Sequence, residues 1–370
     1  VHRAAGALAA AGLLLAACSP AATPEADPGV SSSPAPTTEA PSPSVPPTPP
    51  EPEPRPPLTR VLLVGDIMLG RGVAVPGDPV HPLRFMADRI RSADLAVGNL
   101  ESTLADDGPP QQDPVTDSFA SPPGTLRGLA DLGFDAMSLA NNHTGDFGEA
   151  MLLDVVDRFA AGRVVGFGAG RDLAAASRPA VLTHEGVRFG FVGFNAIGET
   201  PRATPGSPGA LSVRMPPRTG PLQQADLDHV RDVVRRLADR VDVVVVLPHW
   251  GNQYTHVAEP VQSQVGRALV GAGADLVVGG HPHWVQGLEP VGDAVIAHSL
   301  GNFVFDMDFS EQAMEGVTLT ATFRGDRLVD VALGPYRMGA DFAPRPVRGE
   351  AAEAILADVR EHSRGRFRSP

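Results

Sequence analysis

Val243-Val244-Val245-Val246-Leu247-Pro248-His249-Trp250-Gly251 begins as an unbroken aliphatic run and ends in a polar cluster. Four consecutive β-branched residues followed by Pro and Gly read as a strand that stops abruptly. The arrangement recurs along the chain. Val61-Leu62-Leu63-Val64 runs into Gly65-Asp66, and Ala96-Val97 into Gly98-Asn99-Leu100-Glu101. Met137-Ser138-Leu139-Ala140 runs into Asn141-Asn142-His143, and Leu276-Val277-Val278 into Gly279-Gly280-His281-Pro282-His283-Trp284. Strand ends of an α/β sheet lie along one rim, so residues far apart in sequence converge there. Carboxylate, amide and imidazole groups gathered on such a rim are the donor set of a hard-to-borderline metal site.

The segments between these runs fill in an α/β pattern. Apolar residues at three- and four-residue spacing predict helices over 83–92, 149–161, 222–240 and 261–271. Further strands are expected at 180–184, 188–194, 294–298, 317–323 and 328–333. Glu185-Gly186 and Gly325-Asp326 read as hairpin turns. Hairpins mixed with βα units predict two mixed sheets flanked by helices. The Pro/Gly/Thr-rich stretch 201–221 reads as a long loop, and the basic stretch 360–370 as a frayed tail.

Composition narrows the chemistry. The net charge of −13 argues against a nucleic-acid groove. All 30 basic residues are Arg, which excludes a lysine base or Schiff base. The single Cys18 excludes an internal disulfide framework and a Cys-based zinc site. It closes an apolar run, residues 7–17, that Arg3 precedes, as in a secretory signal. Leu15-Ala16-Ala17-Cys18 also resembles the bacterial lipobox, which implies a lipid on Cys18 and residence at the outer face of the cytoplasmic membrane. Residues 1–17 are then a signal peptide. Residues 18–57, rich in Pro, Ser and Thr, read as an extended tether. Residues 58–345 form the folded domain, and 346–370 a C-terminal helix and basic tail.

Each cluster has a plain structural reading beside the functional one. Gly65-Asp66 and Gly98-Asn99 also fit a turn or a helix cap. His249 alone also fits a histidine that merely bonds a loop carbonyl. Ser138-Leu139-Ala140-Asn141-Asn142-His143-Thr144-Gly145-Asp146-Phe147-Gly148 is more specific, because two amides and an imidazole are costly near a core unless something binds them. Gly280-His281-Pro282-His283 sets two imidazoles two residues apart, where both can point along one rim. Three histidines with carboxylate and amide oxygens suit one or two divalent ions of the Mn, Fe or Zn type. Trp250 and Trp284 adjoin cluster histidines and fit either core packing or a stacking wall for a sugar or polymer.

Between Arg60 and Asp306 the segments GDIMLGR, GNLES, LANNHTGDFG, PHWG, GGHPHW and SLGNFVFD resemble, in order, those of the CapA/PgsA family of poly-γ-glutamate capsule synthesis proteins. That family sits within the calcineurin-like metallophosphatase superfamily. The resemblance implies a four-layer αββα sandwich with its site at the strand ends. It implies Asp66, Asn142, His249, His281 and His283 as metal ligands and His143 as the catalytic histidine. Two positions depart from the superfamily: Met68 stands where a ligating histidine is found, and Asn99 where a bridging aspartate is found. Glu101, two residues on, is the nearest carboxylate, and Arg71 offers a positive charge at the catalytic position. The remaining cluster groups, Asn99, Asn141, Ser299 and Asn302, together with both tryptophans, are read as substrate-binding. The implied function is synthesis or export of poly-γ-glutamate or a related anionic cell-surface polymer, by metal-dependent hydrolysis of a phosphoester or amide. A non-catalytic module that binds the polymer, or membrane-bound synthase subunits, is the second reading. Nucleic acid is not an expected partner.

Overall fold

The computed structural model describes residues 56–105 and 117–364. Cys18, the signal segment and nearly all of the tether lie outside them. Two large sheets dominate. One has eight strands, in the order Pro344–Pro346, Arg327–Met338, Glu315–Arg324, Leu58–Ile67, Leu95–Leu100, Ala136–Ser138 and Val165–Phe167, with Asn302–Val304 beside the end of Leu58–Ile67. The other has six: Leu288–Val291, Ala294–Ala297, Leu276–Val278, Val243–His249, Val187–Asn195 and Ala180–His184. Both mix parallel and antiparallel pairs, as expected.

Side-chain alternation fixes the layers. Val61 and Leu63 face a central core together with Phe189, Val243 and Val245 of the second sheet. Leu62 and Val64 face the other way, onto the helices Ala87–Arg91, Thr125–Leu132 and Gly148–Ala161. Val244 and Val246 face outward from the second sheet onto Gln224–Ala238 and Pro260–Val270. Helices, sheet, sheet, helices: the four-layer αββα arrangement follows. The unbroken valine run is thus a strand buried on both faces.

Local chemistry explains the element ends. Pro260 occupies the first turn of its helix, behind a capping box in which the Glu259 side chain accepts the Gln262 backbone amide and the Gln262 side chain accepts the Glu259 backbone amide. The Glu185-Gly186 hairpin has φ of 48° and 82°, the double left-handed turn that suits strand twist. The helix expected over 83–92 is split: His81–Phe85 is a 3₁₀ turn and only Ala87–Arg91 is α-helical. The stretch 360–364 is not frayed. The helix Glu350–Glu361 buries Ile355, Leu356 and Val359 in the central core, and the Arg364 amide donates to the Leu288 carbonyl at 2.8 Å. Among the described residues no helix is long and apolar enough to cross a membrane.

Candidate metal centre

Register brings the polar clusters together. On the first sheet Asp66 is aligned with Asn302 on one side and Asn99 on the other. On the second, His249 is aligned with Asn195 and Gly280. A Cβ on Gly280 would lie 2.4 Å from Asp66 Oδ1, so only glycine lets the two strand ends approach this closely. The His281 amide, one residue on, donates to Asp66 Oδ2 at 2.9 Å and ties the sheets together at the site.

Two groups of three ligand atoms result, each with all its atoms within 4.8 Å of one another: Glu101, His249 and His281, and Asp66, Glu101 and His283. All five residues are buried, and Glu101 belongs to both groups. Glu101, two residues past Asn99, is therefore the carboxylate the two groups share. Met68 is fully buried in the helix-side core and its sulfur accepts the Gly70 amide at 3.1 Å, so it takes no part.

The unsatisfied atoms fit a cation. Both Glu101 oxygens and both His281 ring nitrogens are buried without a hydrogen-bond partner. Such atoms are rare in folded proteins and mark a missing ligand or a functional strain. A divalent ion would satisfy a bare carboxylate and a bare imidazole together. Backbone strain points to the same place. Of the seven non-glycine residues with positive φ among the described residues, five are here: Arg71, Glu199, Tyr254, His281 and His283.

Electrostatics agree. Burial, and then the charge of Glu101, raises the Asp66 carboxyl to about 6. Burial pushes Glu101 well above the carboxylate range. Burial lowers His249 and His283 to about 4 and His143 to about 3, and holds His281 well below the usual imidazole value. The imidazoles are therefore neutral at physiological pH, the form that ligates metal.

A second tier of groups orients these ligands. Asn302 Oδ1 accepts from His283 Nδ1 at 2.8 Å while its amide reaches the Ala313 carbonyl at 3.0 Å. Asn99 donates to Asp66 at 2.8 Å, and Asn141 donates to Asn99 at 3.0 Å and to the Leu100 carbonyl at 2.7 Å. Ser299 Oγ accepts the Gly301 amide at 3.1 Å. In this structure these four residues direct polar atoms to partners inside the protein. Trp250 is wholly buried, with its indole N–H on the His298 carbonyl at 2.9 Å and Phe194 against its ring. Core packing wins there. Trp284 packs half-buried against His256, with ring centroids 4.9 Å apart.

His143 lies beside the cluster, its Nε2 3.8 Å from Glu101 Oε1 and its Nδ1 2.8 Å from Asp146. Asn142 bridges it to the ligands: its amide meets His143 Nε2 at 2.8 Å and its Oδ1 meets His249 Nε2 at 2.8 Å. Arg71 is not at the cluster centre. Its guanidinium grips Asp306 and lies 4.5 Å over the Phe119 ring, whose opposite partner is the His143 imidazole at 3.9 Å. Three participants escaped sequence reasoning. Glu199 accepts from Asn142 at 2.7 Å and from Arg218 at 2.8 Å. Asp146 orients His143, and Tyr254, partly exposed, stacks on His283 with centroids 5.8 Å apart. Glu199 was findable, because it follows the strand Val187–Asn195 in the same strand-then-polar pattern as the other clusters.

A four-layer αββα sandwich with a buried histidine–carboxylate cluster on its strand ends defines a metallophosphatase-like protein. More particularly, residues 60–307 match the family described as bacterial capsule synthesis protein PGA_cap, and the chain belongs to that family. It is 30% identical over 254 residues to the capsule biosynthesis protein CapA of Bacillus anthracis, covering 67% of this chain and 60% of that protein. It is 30% identical over 298 residues to a probable polyglutamine synthesis accessory protein of Mycobacterium tuberculosis, covering 68% of this chain and 76% of the relative. The chain thus spans three fifths of the length of the Bacillus protein (60%). Among solved structures, a hypothetical protein from Thermus thermophilus is similar with a TM-score of 0.47 and 16% identity, over 75% of this chain and 99% of that one.

Proposed function

We propose that this protein acts in the synthesis or export of poly-γ-glutamate or a related anionic cell-envelope polymer, through a metal-dependent hydrolase-like centre. The observation that carries the reading is the pair of ligand groups sharing Glu101, with its two bare oxygens beside the bare His281 ring. Asp66, Glu101, His249, His281 and His283 would hold a divalent ion of the Mn, Fe or Zn type, and Asn142 offers an amide oxygen beside them. When bound, such an ion supplies Lewis-acid polarisation of a phosphoryl or carbonyl oxygen and lowers the pKa of water. The chain's own residues supply the rest. Asp146 holds the proton on His143 Nδ1, so Nε2 is the acceptor nitrogen on the cluster side; it takes the Asn142 amide in this structure, and a proton shed at the centre would displace that bond. The Phe119 stack fixes the plane of that ring. Glu199, tied to Arg218 on the 201–221 loop, holds the Asn142 amide in place.

The relatives' names support the polymer assignment. The polymer is anionic and the chain carries −13, so attraction must come from the centre and local arginines. Purified protein is expected to retain a divalent ion by elemental analysis, and His281→Ala combined with His283→Ala to lose it. A metal-free unmutated protein would sink the reading. Screening the metal-loaded protein against phosphoesters and poly-γ-glutamate separates hydrolysis from simple binding, the second reading, in which synthase subunits are the partner.

Localisation at the outer face of the membrane through a lipid on Cys18 is part of the proposal, supported by the lipobox-like Leu15-Ala16-Ala17-Cys18. Cells fed a labelled lipid precursor should label this protein, and Cys18→Ala should remain unlabelled. Label persisting in Cys18→Ala contradicts the anchor.

A further inference from the structure

One sizeable cavity lies outside the metal centre. It measures about 770 Å³, the size of a pocket for one small ligand. It opens on the outer side of the second sheet, between the short helix Leu173–Ala176, the start of the edge strand Ala180–His184 and the last turns of Gln224–Ala238. Arg240 and Val241, which line it, precede the strand whose far end carries His249, so cavity and metal centre draw on opposite ends of that strand.

Its walls divide by chemistry. Leu173, Val181, Val233 and Leu237 make an apolar floor and sides. Arg178, Arg236 and Arg240 stand exposed at its border, and none has an ion-pair partner among the described residues. Arg240 makes only a backbone contact, donating to the Arg236 carbonyl at 3.1 Å. Elsewhere most arginines of this acidic protein are paired with a carboxylate, for example Arg188 with Asp242 and Arg214 with Asp226. The one carboxylate on the wall, Asp172, is already engaged as the N-cap of its helix, accepting the Ala175 amide at 2.7 Å. A polar pair, Ser177 Oγ and His229 Nε2 at 2.9 Å, completes the wall.

We infer that this cavity binds a single-chain anionic amphiphile, an aliphatic carboxylate of the fatty-acid type. The apolar walls take the chain, and the three unpaired guanidiniums take the head group by charge-assisted, fork-shaped hydrogen bonds. Exposed arginines left unpaired cost little in water. Three of them around one apolar opening, in a protein of net charge −13, place positive potential where an anionic head would sit. The volume matches one chain rather than a two-chain lipid.

The test is displacement of a fluorescent fatty acid, cis-parinarate, by dodecanoate on the full chain. Dodecanoate should compete saturably, and dodecanol, with the same chain and no charge, about tenfold less well. Arg236→Gln with Arg240→Gln changes only exposed side chains and should weaken dodecanoate about tenfold or more. Val181→Trp, on a half-exposed edge-strand position, should block the cavity. The metal content of both variants should equal that of the unmutated protein. No saturable dodecanoate binding overturns the inference, as does binding that both variants retain or that dodecanol matches. Binding to phosphatidylglycerol vesicles without binding of free dodecanoate also overturns it, by making the arginines a membrane-surface patch.

Discussion

Glu101→Gln is expected to empty the metal centre and, at the same time, to make the metal-free protein more stable. Glu101 is the one residue common to both ligand groups, and both its oxygens are buried with no hydrogen-bond partner. A buried, unpaired carboxylate is stabilised only by a cation, and without one its burial cost is carried by the fold. Gln keeps the volume and removes the charge. Metal affinity should fall by more than about 100-fold, beyond the loss typical of an outer-shell change. In the presence of chelator the variant should unfold at higher temperature, by roughly 1–3 kcal/mol of added stability. The measurements are metal content and chelator-dependent thermal unfolding of both forms. A variant that keeps its metal, or one less stable than the parent under chelation, would show that Glu101 is an ordinary structural carboxylate. The opposed signs separate this outcome from simple misfolding, which would lower both quantities.

The second large effect is acid lability of the chelated protein. Burial depresses His249 and His283 from 6.5 to about 4, and His143 to about 3. A histidine depressed in the folded state binds its proton mainly when unfolded. Its contribution is therefore fully present above the unfolded value and is lost as the pH falls through the folded one. Asp66 works the other way. Its folded value of about 6 exceeds 3.8, so its contribution is fully present below the unfolded value and is lost as the pH rises through the folded one. Glu101 is raised as well and acts with Asp66, while His281 is depressed and acts with the other histidines; the four imidazoles outweigh the two carboxyls. Each of His249 and His283 contributes on the order of 3 kcal/mol, so chelated protein should lose several kcal/mol between about pH 6.5 and pH 4. Thermal or urea unfolding across that window measures it. A flat profile, or one rising toward acid, would mean the imidazoles are not held neutral by burial. Metal-loaded protein should show the same acid limb as proton-driven release of the ion, because only neutral imidazole ligates.

Most of the candidate site was legible because the fold writes it in a simple code. Each core strand is a run of aliphatic residues, and each ends where the chain turns at the rim, so Asp66, Asn142, His143, His249, His281 and His283 stood out as candidates from local context, and the family resemblance assigned their roles. The code failed where a residue's role depends on what faces it. Trp250 follows His249 directly, yet it points into the helix-side core against Phe194. Asn302 sits in a strand-end cluster like the others, yet its amide is consumed by His283 and Ala313. Arg71 follows the Asp66 strand, yet Asp306, far along the chain, claims its guanidinium.

What the sequence determined by itself was two mixed sheets flanked by helices and the polar clusters at their strand ends, since alternation along a strand and polar residues at its end are properties of a few adjacent positions. What only the tertiary structure decided was which of them meet. Asn99 and Glu101 are two residues apart at the end of one strand, and their spacing does not say which is the shared ligand. The approach of the second sheet, permitted by the missing side chain at Gly280 and tied by the His281 amide on Asp66, places Glu101 in both ligand groups. Distances across the gap between two sheets depend on how the sheets pack, and no local stretch of sequence carries that information.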